Sequence, residues 1–261
     1  NGCTGTDQVT VTVNAIPSAP TVDPSNTTQY CLGATATSMS AVSISGYTLK
    51  WYDNADNLLA TGSTGPVPST VGFGNTTYKV TQTNGTTLCE SSALLVTVTV
   101  NGLPSISVVG GASQTVCDGS SITLNGDGGV SYSWSGVDAS GNAISNGASF
   151  VPPGSTTTTY TVTGTDGNGC SNSSTVDVVS TASPIVNAGS DVEICAGETV
   201  TLTGSGVTNP PVVGGAYTWS GGISNGVSFT PSVTTTYTVT GTDANGCTGT
   251  DQVTVTVNAI P

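Results

Sequence analysis

The residues best equipped for covalent chemistry in this 261-residue chain are its seven cysteines, because it carries two basic side chains and no histidine. Cys31, Cys89, Cys117, Cys170, Cys195 and Cys247 fall one early and one late in each of three successive segments, and Cys3 precedes them. No Cys-x-x-Cys spacing occurs, so a zinc-type cluster is not expected. The arrangement reads instead as a disulfide framework, which persists in oxidising, extracellular surroundings. Lack of histidine removes the commonest general base and a frequent metal ligand. No paired acids stand in a recognisable catalytic setting either, so no catalytic residue, cofactor or metal centre is expected, and the chain reads as a non-enzyme.

The elements that must hold these cysteines are repeated. Residues 1–17, NGCTGTDQVTVTVNAIP, recur unchanged as residues 245–261, a period of 244 residues. Within it, CDGSSITLNG at Cys117 aligns with CAGETVTLTG at Cys195, and YSWSG at 132 with YTWSG at 217. ISNGASF (144–150) matches ISNGVSF (223–229), and TTTYTVTGTDGNGC (157–170) matches TTTYTVTGTDANGC (234–247). A more divergent copy runs from about Ser18 through Cys31, Trp51 and NTTYKVTQTNGTTLC to Cys89. Boundaries are expected where Val/Thr runs give way to proline, giving repeats 18–104, 105–184 and 185–261. Residues 1–17 then read as the last strand of a preceding copy, and the chain as a window onto a longer tandem array.

Alternation of Val253, Val255 and Val257 with Thr254 and Thr256 predicts half-buried strands. Gly- and Pro-rich turns at short intervals predict an antiparallel β-sandwich of about seven strands per repeat. Trp51, Trp134 and Trp219 are expected as core residues of a central strand. Tyr78, Tyr160 and Tyr237, each opening a Tyr-x-Val run, resemble the tyrosine corner that ties a strand to its upstream loop.

The segments ICAGETVTL, YTVTGTDANGC and VTVTVN together resemble the Ig-like and PKD-like repeats of giant surface proteins in Bacteroidetes, including gliding-motility adhesins exported by type IX secretion. The resemblance spans all three repeats. It implies an all-β chain of tandem sandwiches set end to end as a rod, in a cell-surface adhesin or filament with a mechanical and adhesive role. Partners would be neighbouring repeats, further copies of the chain, or surface glycans. The rival reading is a carbohydrate-binding or spacer module of a secreted hydrolase, which predicts exposed, coplanar aromatics.

A net charge of -13 with two lysines argues against nucleic acid and anionic membrane as partners. No apolar run approaches the roughly 18–20 residues that cross a bilayer, and no charged-then-apolar leader opens the sequence, so a secreted, extracellular segment without membrane insertion is expected.

Two disulfide schemes are open. Pairing within repeats joins Cys31 to Cys89, Cys117 to Cys170 and Cys195 to Cys247. Pairing between repeats joins Cys31 to Cys170 and Cys117 to Cys247, and leaves Cys3, Cys89 and Cys195 for neighbouring copies. In an Ig-like topology the early and late cysteines of one repeat lie toward opposite ends of the sandwich, which favours the second scheme. Acidic turns at Asp53–Asn57 and Asp166–Asn168 are weak Ca²⁺ candidates and read as solvated turns. Asn-x-Ser/Thr sequons occur at Asn26, Asn75, Asn84 and Asn172. Lys50 and Lys79 are the only side-chain amines available for an isopeptide link.

Overall fold

The strands follow the alternation of valine and threonine. In the run Leu94–Asn101, Val96, Val98 and Val100 are buried while Thr97 faces out, the pattern of a sheet with one wet face. The computed structural model describes residues 2–206 and 217–260, and over these the chain is all-β. One 3-10 turn, Ser220–Gly222, is the helical element among the described residues.

Two compact units are present. The first reaches from the N-terminal segment to Leu103 and takes in Gly167–Cys170. Its main sheet has five strands in the order Gln29–Cys31, Leu94–Asn101, Gly74–Asn84, Tyr47–Tyr52 and Leu58–Thr61. The first of these runs parallel to Leu94–Asn101, and the rest pair antiparallel. A short antiparallel pair, Thr21–Val22 with Ala41–Val42, forms a second sheet. Trp51, Tyr78, Leu49, Met39 and Val80 fill the core.

The second unit holds Pro104–Asp166 and Ser171 onward, and contains two separate cores. One gathers Leu124, Tyr160, Val162, Val176 and Val178, the other Leu202, Trp219, Tyr237, Val239, Val253 and Val255. Each has a four-stranded sheet of one plan. Ser131–Ser135, Thr157–Thr165, Ser171–Thr181 and Ser113–Cys117 are matched by Tyr217–Trp219, Thr235–Thr242, Thr248–Asn258 and Val192–Cys195. In both, the early strand runs parallel to the long last strand. Short antiparallel pairs make up the opposing sheets.

Residues 2–20 form no strand, and Val9, Val11 and Val13 are 88%, 78% and 89% exposed. Their sequence equivalents Val253 and Val255 are buried. A Cβ on Gly249 would run into the Pro184 carbonyl, whereas its counterpart Gly5 has nothing near it. The same residues therefore pack as a strand only where a sheet and core surround them.

Aspartates organise the turns by accepting backbone N–H groups. The Asp53 carboxylate accepts from the N–H groups of Ala55 (2.8 Å) and Asn57 (2.9 Å) and from the Asn57 amide (2.7 Å). Asp138 repeats this with Ser140 and Asn142. Lys79 pairs with Asp56 at 2.7 Å and Lys50 with Glu90 at 3.1 Å. Glu90 also accepts from Thr81 and Tyr52. Hydrogen bonds, first from Thr81 to Glu90, from Asn57 to Asp53 and from Asn142 to Asp138, hold all three carboxyls below their ordinary range.

Backbone strain is confined to few positions. The residue before the late cysteine has positive φ in every repeat: Gly169 (81°), Gly246 (84°), and in the first repeat Leu88 (58°). A non-glycine residue there costs roughly 1–2 kcal/mol.

Two outcomes follow. Leu88→Gly is expected to raise the stability of the first unit by about 1 kcal/mol after the extra entropy of an unfolded glycine; a lower urea midpoint for the variant would contradict this. Because the shifted carboxyls are depressed in the folded chain, their stabilisation is complete above the unfolded carboxylate pKa of about 4 and disappears as pH falls through the lower folded values. Melting temperature should hold steady from neutral pH down to about 4.5 and then fall, and a rise on acidification would refute the assignment.

Candidate functional site

The early cysteine of each repeat ends the strand that pairs parallel with the last strand, and a tight turn follows. In Cys31-Leu32-Gly33-Ala34, Ala34 N–H donates to the Cys31 carbonyl at 3.0 Å; the same bond is 2.9 Å from Ser120 to Cys117 and 3.1 Å from Glu198 to Cys195. The third residue is glycine each time, with φ of 77°, 76° and 91°, as a turn with a left-handed third position requires. The residue after each cysteine donates to the carbonyl at the end of the last strand: Leu32 to Asn101, Asp118 to Thr181 and Ala196 to Asn258, at 2.8, 2.9 and 2.9 Å. Cys31, Cys117 and Cys195 thus occupy one backbone setting.

The late cysteine sits in the turn joining the two longest strands of its repeat. Asp243 Oδ1 accepts from Asn245 N–H (2.9 Å) and Cys247 N–H (2.8 Å), and the Cys247 carbonyl accepts from Asp243 N–H (2.9 Å). In the first repeat Asn84 takes that place. Its Oδ1 accepts from Thr86 and Thr87, and its N–H donates to the Cys89 carbonyl at 3.0 Å.

Register keeps the two cysteines of a repeat apart. Cys195 lies opposite Asn258, the last residue of Thr248–Asn258, and Cys247 precedes the first residue of that strand. An 11-residue strand spans about 36 Å at ~3.3 Å per residue, against the roughly 7 Å limit between bonded Cα atoms. Cys117 faces Thr181, the end of Ser171–Thr181, which Cys170 precedes in the same way.

Cys31 is bonded to Cys170 and Cys117 to Cys247, each with Cα atoms 5.5 Å apart. An early cysteine therefore joins the late cysteine of the following repeat in both bonds. Cys170 and Cys247 are buried. Cys89 is half-buried, and Cys3 and Cys195 are exposed; these three are free thiols. Beside the second bond, Thr181 Oγ1 lies 3.3 Å from the Cys247 sulfur. Asp118, next to Cys117, accepts from the Ser155 N–H (2.6 Å), the Ser155 hydroxyl and the Ser180 hydroxyl (2.5 Å). Those hydrogen bonds, Ser155 foremost, lower its pKa.

Trp51 is wholly buried, with its indole N–H on the Gly62 carbonyl at 3.3 Å, and Trp219 is buried. Trp134 is half-buried against its core. Tyr78, Tyr160 and Tyr237 are buried, and the Tyr160 hydroxyl donates to the Val137 carbonyl at 3.0 Å. Phe150 and Phe229 meet Tyr160 and Tyr237 edge-on. Among the sequon residues, Asn26 is engaged with Ser40 in both directions, and the Asn172 amide donates to the Pro104 carbonyl.

Sequence reasoning passed over Asn146 and Asn225. Asn225 Oδ1 accepts from the Trp219 indole (3.0 Å) and Gly204 N–H (2.7 Å), and Asn146 Oδ1 does the same for Trp134 (3.2 Å) and Gly126 (2.7 Å). The repeated Ile-Ser-Asn-Gly signature was the available signal. Among the described residues no group of three or more His, Cys, Asp or Glu side chains could hold a metal ion. No described helix is long and apolar enough to cross a membrane.

No match was found among curated proteins. Similar solved structures include the three N-terminal domains of the bacteriophage RB49 outer capsid protein Hoc, at 14% identity and TM-score 0.43 over 92% of this chain and 99% of that one. Immunoglobulin domains 1–5 of Sidekick-1 match at 13% identity and TM-score 0.29, over 94% and 59%. SGBP-B of the Bacteroides ovatus mixed-linkage glucan utilization locus, solved with a mixed-linkage heptasaccharide, matches at 15% identity and TM-score 0.24, over 93% and 71%. At such identities and scores none of the three says what this chain binds. A sequence family described as "Ig-like domain CHU_C associated" matches residues 17–102 and again 104–184, and the chain belongs to that family.

Proposed function

We propose that this chain is a tension-bearing segment of an extracellular, cell-surface array of Ig-like repeats, with a mechanical and adhesive role and no chemistry of its own. The observation that carries this reading is the pairing of Cys31 with Cys170 and Cys117 with Cys247, early cysteine to the next late one. Bonds of this kind persist only in oxidising surroundings, which supports the extracellular placement. The fixed 244-residue recurrence supports reading residues 1–17 as the closing strand of a preceding copy, and repeats 18–104, 105–184 and 185–261 as units of one linear array.

The bonds redirect load. Tension entering at the N-terminal end passes along the chain to Cys31 and across to Cys170. It then runs back through the second repeat to Cys117, and across to Cys247. Segments off this path stay slack even when every repeat has unfolded. Pulled from its ends with both bonds intact, the unfolded chain should extend to about 98 residues, about 340 Å at ~3.5 Å per residue. After reduction all 261 residues carry load, and the limit becomes about 910 Å. Single-molecule stretching with and without dithiothreitol measures both lengths; equal limits in the two conditions would reject a load path through the sulfurs.

A further inference from the structure

Two of the free thiols, Cys89 and Cys195, stand at places that are bonded elsewhere in the chain. Cys195 shares with Cys31 and Cys117 the strand end, the Cys-x-Gly turn and the donor bond to the last strand. Cys89 shares with Cys247 the turn between the long strands and the backbone bond that closes it. Both bonds in the chain join a residue of the first kind to one of the second, at separations of 139 and 130 residues. One 244-residue period beyond Cys89, its counterpart falls about 138 residues after Cys195. That spacing continues the series.

We infer that Cys195 of one copy bonds Cys89 of the next, so that the partner of the exposed third-repeat turn is the first repeat of the following 244-residue copy in the array. The inference rests on the array reading above and names the partner at its open ends. Exposure agrees with it. The late cysteines already bonded are 0% and 1% exposed, whereas Cys89 is half-buried, and the bonded early cysteines Cys31 and Cys117 are half-buried, whereas Cys195 is exposed. The reaction consumes a small-molecule disulfide as oxidant. The Cys195 thiolate attacks it and releases one thiol; the Cys89 thiolate then attacks the mixed disulfide at the Cys195 sulfur and releases the second. Two thiols and one disulfide yield one new protein disulfide and two small thiols, with the two cysteine protons leaving on the latter.

The test uses the full chain with Cys3→Ser, incubated with oxidised and reduced glutathione and examined on a non-reducing gel. A ladder of head-to-tail multimers is expected, collapsing to monomer with dithiothreitol. Adding Cys89→Ser or Cys195→Ser should each hold the chain at monomer, and an equimolar mixture of the two should give a dimer and nothing larger. Chymotryptic mapping of that dimer should recover a peptide joining Cys195 to Cys89. The inference is overturned if the chain stays monomeric with both thiols open to alkylation, or if the linked peptides are Cys195–Cys195 or Cys89–Cys89. Either failure, alongside a short stretching limit in the unreduced chain, would remove this partner and leave the load path standing.

Discussion

The length of one β-strand is the constraint on which the rest of this molecule depends. Each repeat puts one sulfur at the end of the strand that lies parallel to the last one, and the other at the last strand's beginning. Hydrogen-bonded register then separates them by roughly the full strand, several times the reach of a disulfide. Cys195 opposite Asn258, with Cys247 before Thr248, makes this concrete. Neither cysteine can meet its own repeat-mate while the sheet is intact, and both bonds that form, Cys31 to Cys170 and Cys117 to Cys247, join different repeats. A pairing that in antibody domains braces two sheets of one sandwich is here turned outward.

Identical residues in two settings separate local preference from context. The run DQVTVTVN has the same intrinsic strand propensity at 7–14 as at 251–258, yet the second copy buries Val253 and Val255 and the first exposes Val9 and Val11. Strand propensity is largely a preference for a pleated, half-buried surface, and no such surface surrounds the first copy. Gly249 shows how specific that surface is, since the Pro184 carbonyl occupies the space of its absent side chain.

Much of the architecture was legible in the sequence, because its signals are local. Val/Thr alternation marks the long strands, and glycine and proline punctuate them. The sequence likewise displays one early and one late cysteine per repeat. Placing those cysteines toward opposite ends of an Ig-like sandwich already favoured pairing between repeats, whereas the register across the sheet that sets their separation is a non-local quantity carried by no single segment. The parallel pairing of the early strand with the last was hidden for the same reason. Asn146 and Asn225 went unnoticed for a different one: an asparagine after Ile-Ser and before glycine reads as an ordinary turn residue, and only the folded chain brings it under the indole of Trp134 or Trp219. At Leu88 the repeats display a leucine where the other two have glycine before the late cysteine, but the positive φ that makes the difference costly belongs to the folded turn.

The most direct measurement is a disulfide map of the unreduced protein, with free thiols alkylated first and digestion then run at acidic pH, where any remaining thiol stays protonated and exchange is suppressed. Cross-linked peptides joining Cys31 to Cys170 and Cys117 to Cys247, with Cys89 alkylated in the isolated chain, are the expected result. Peptides joining Cys117 to Cys170 or Cys195 to Cys247 would contradict the account, because no intact sheet of this register brings those sulfurs together.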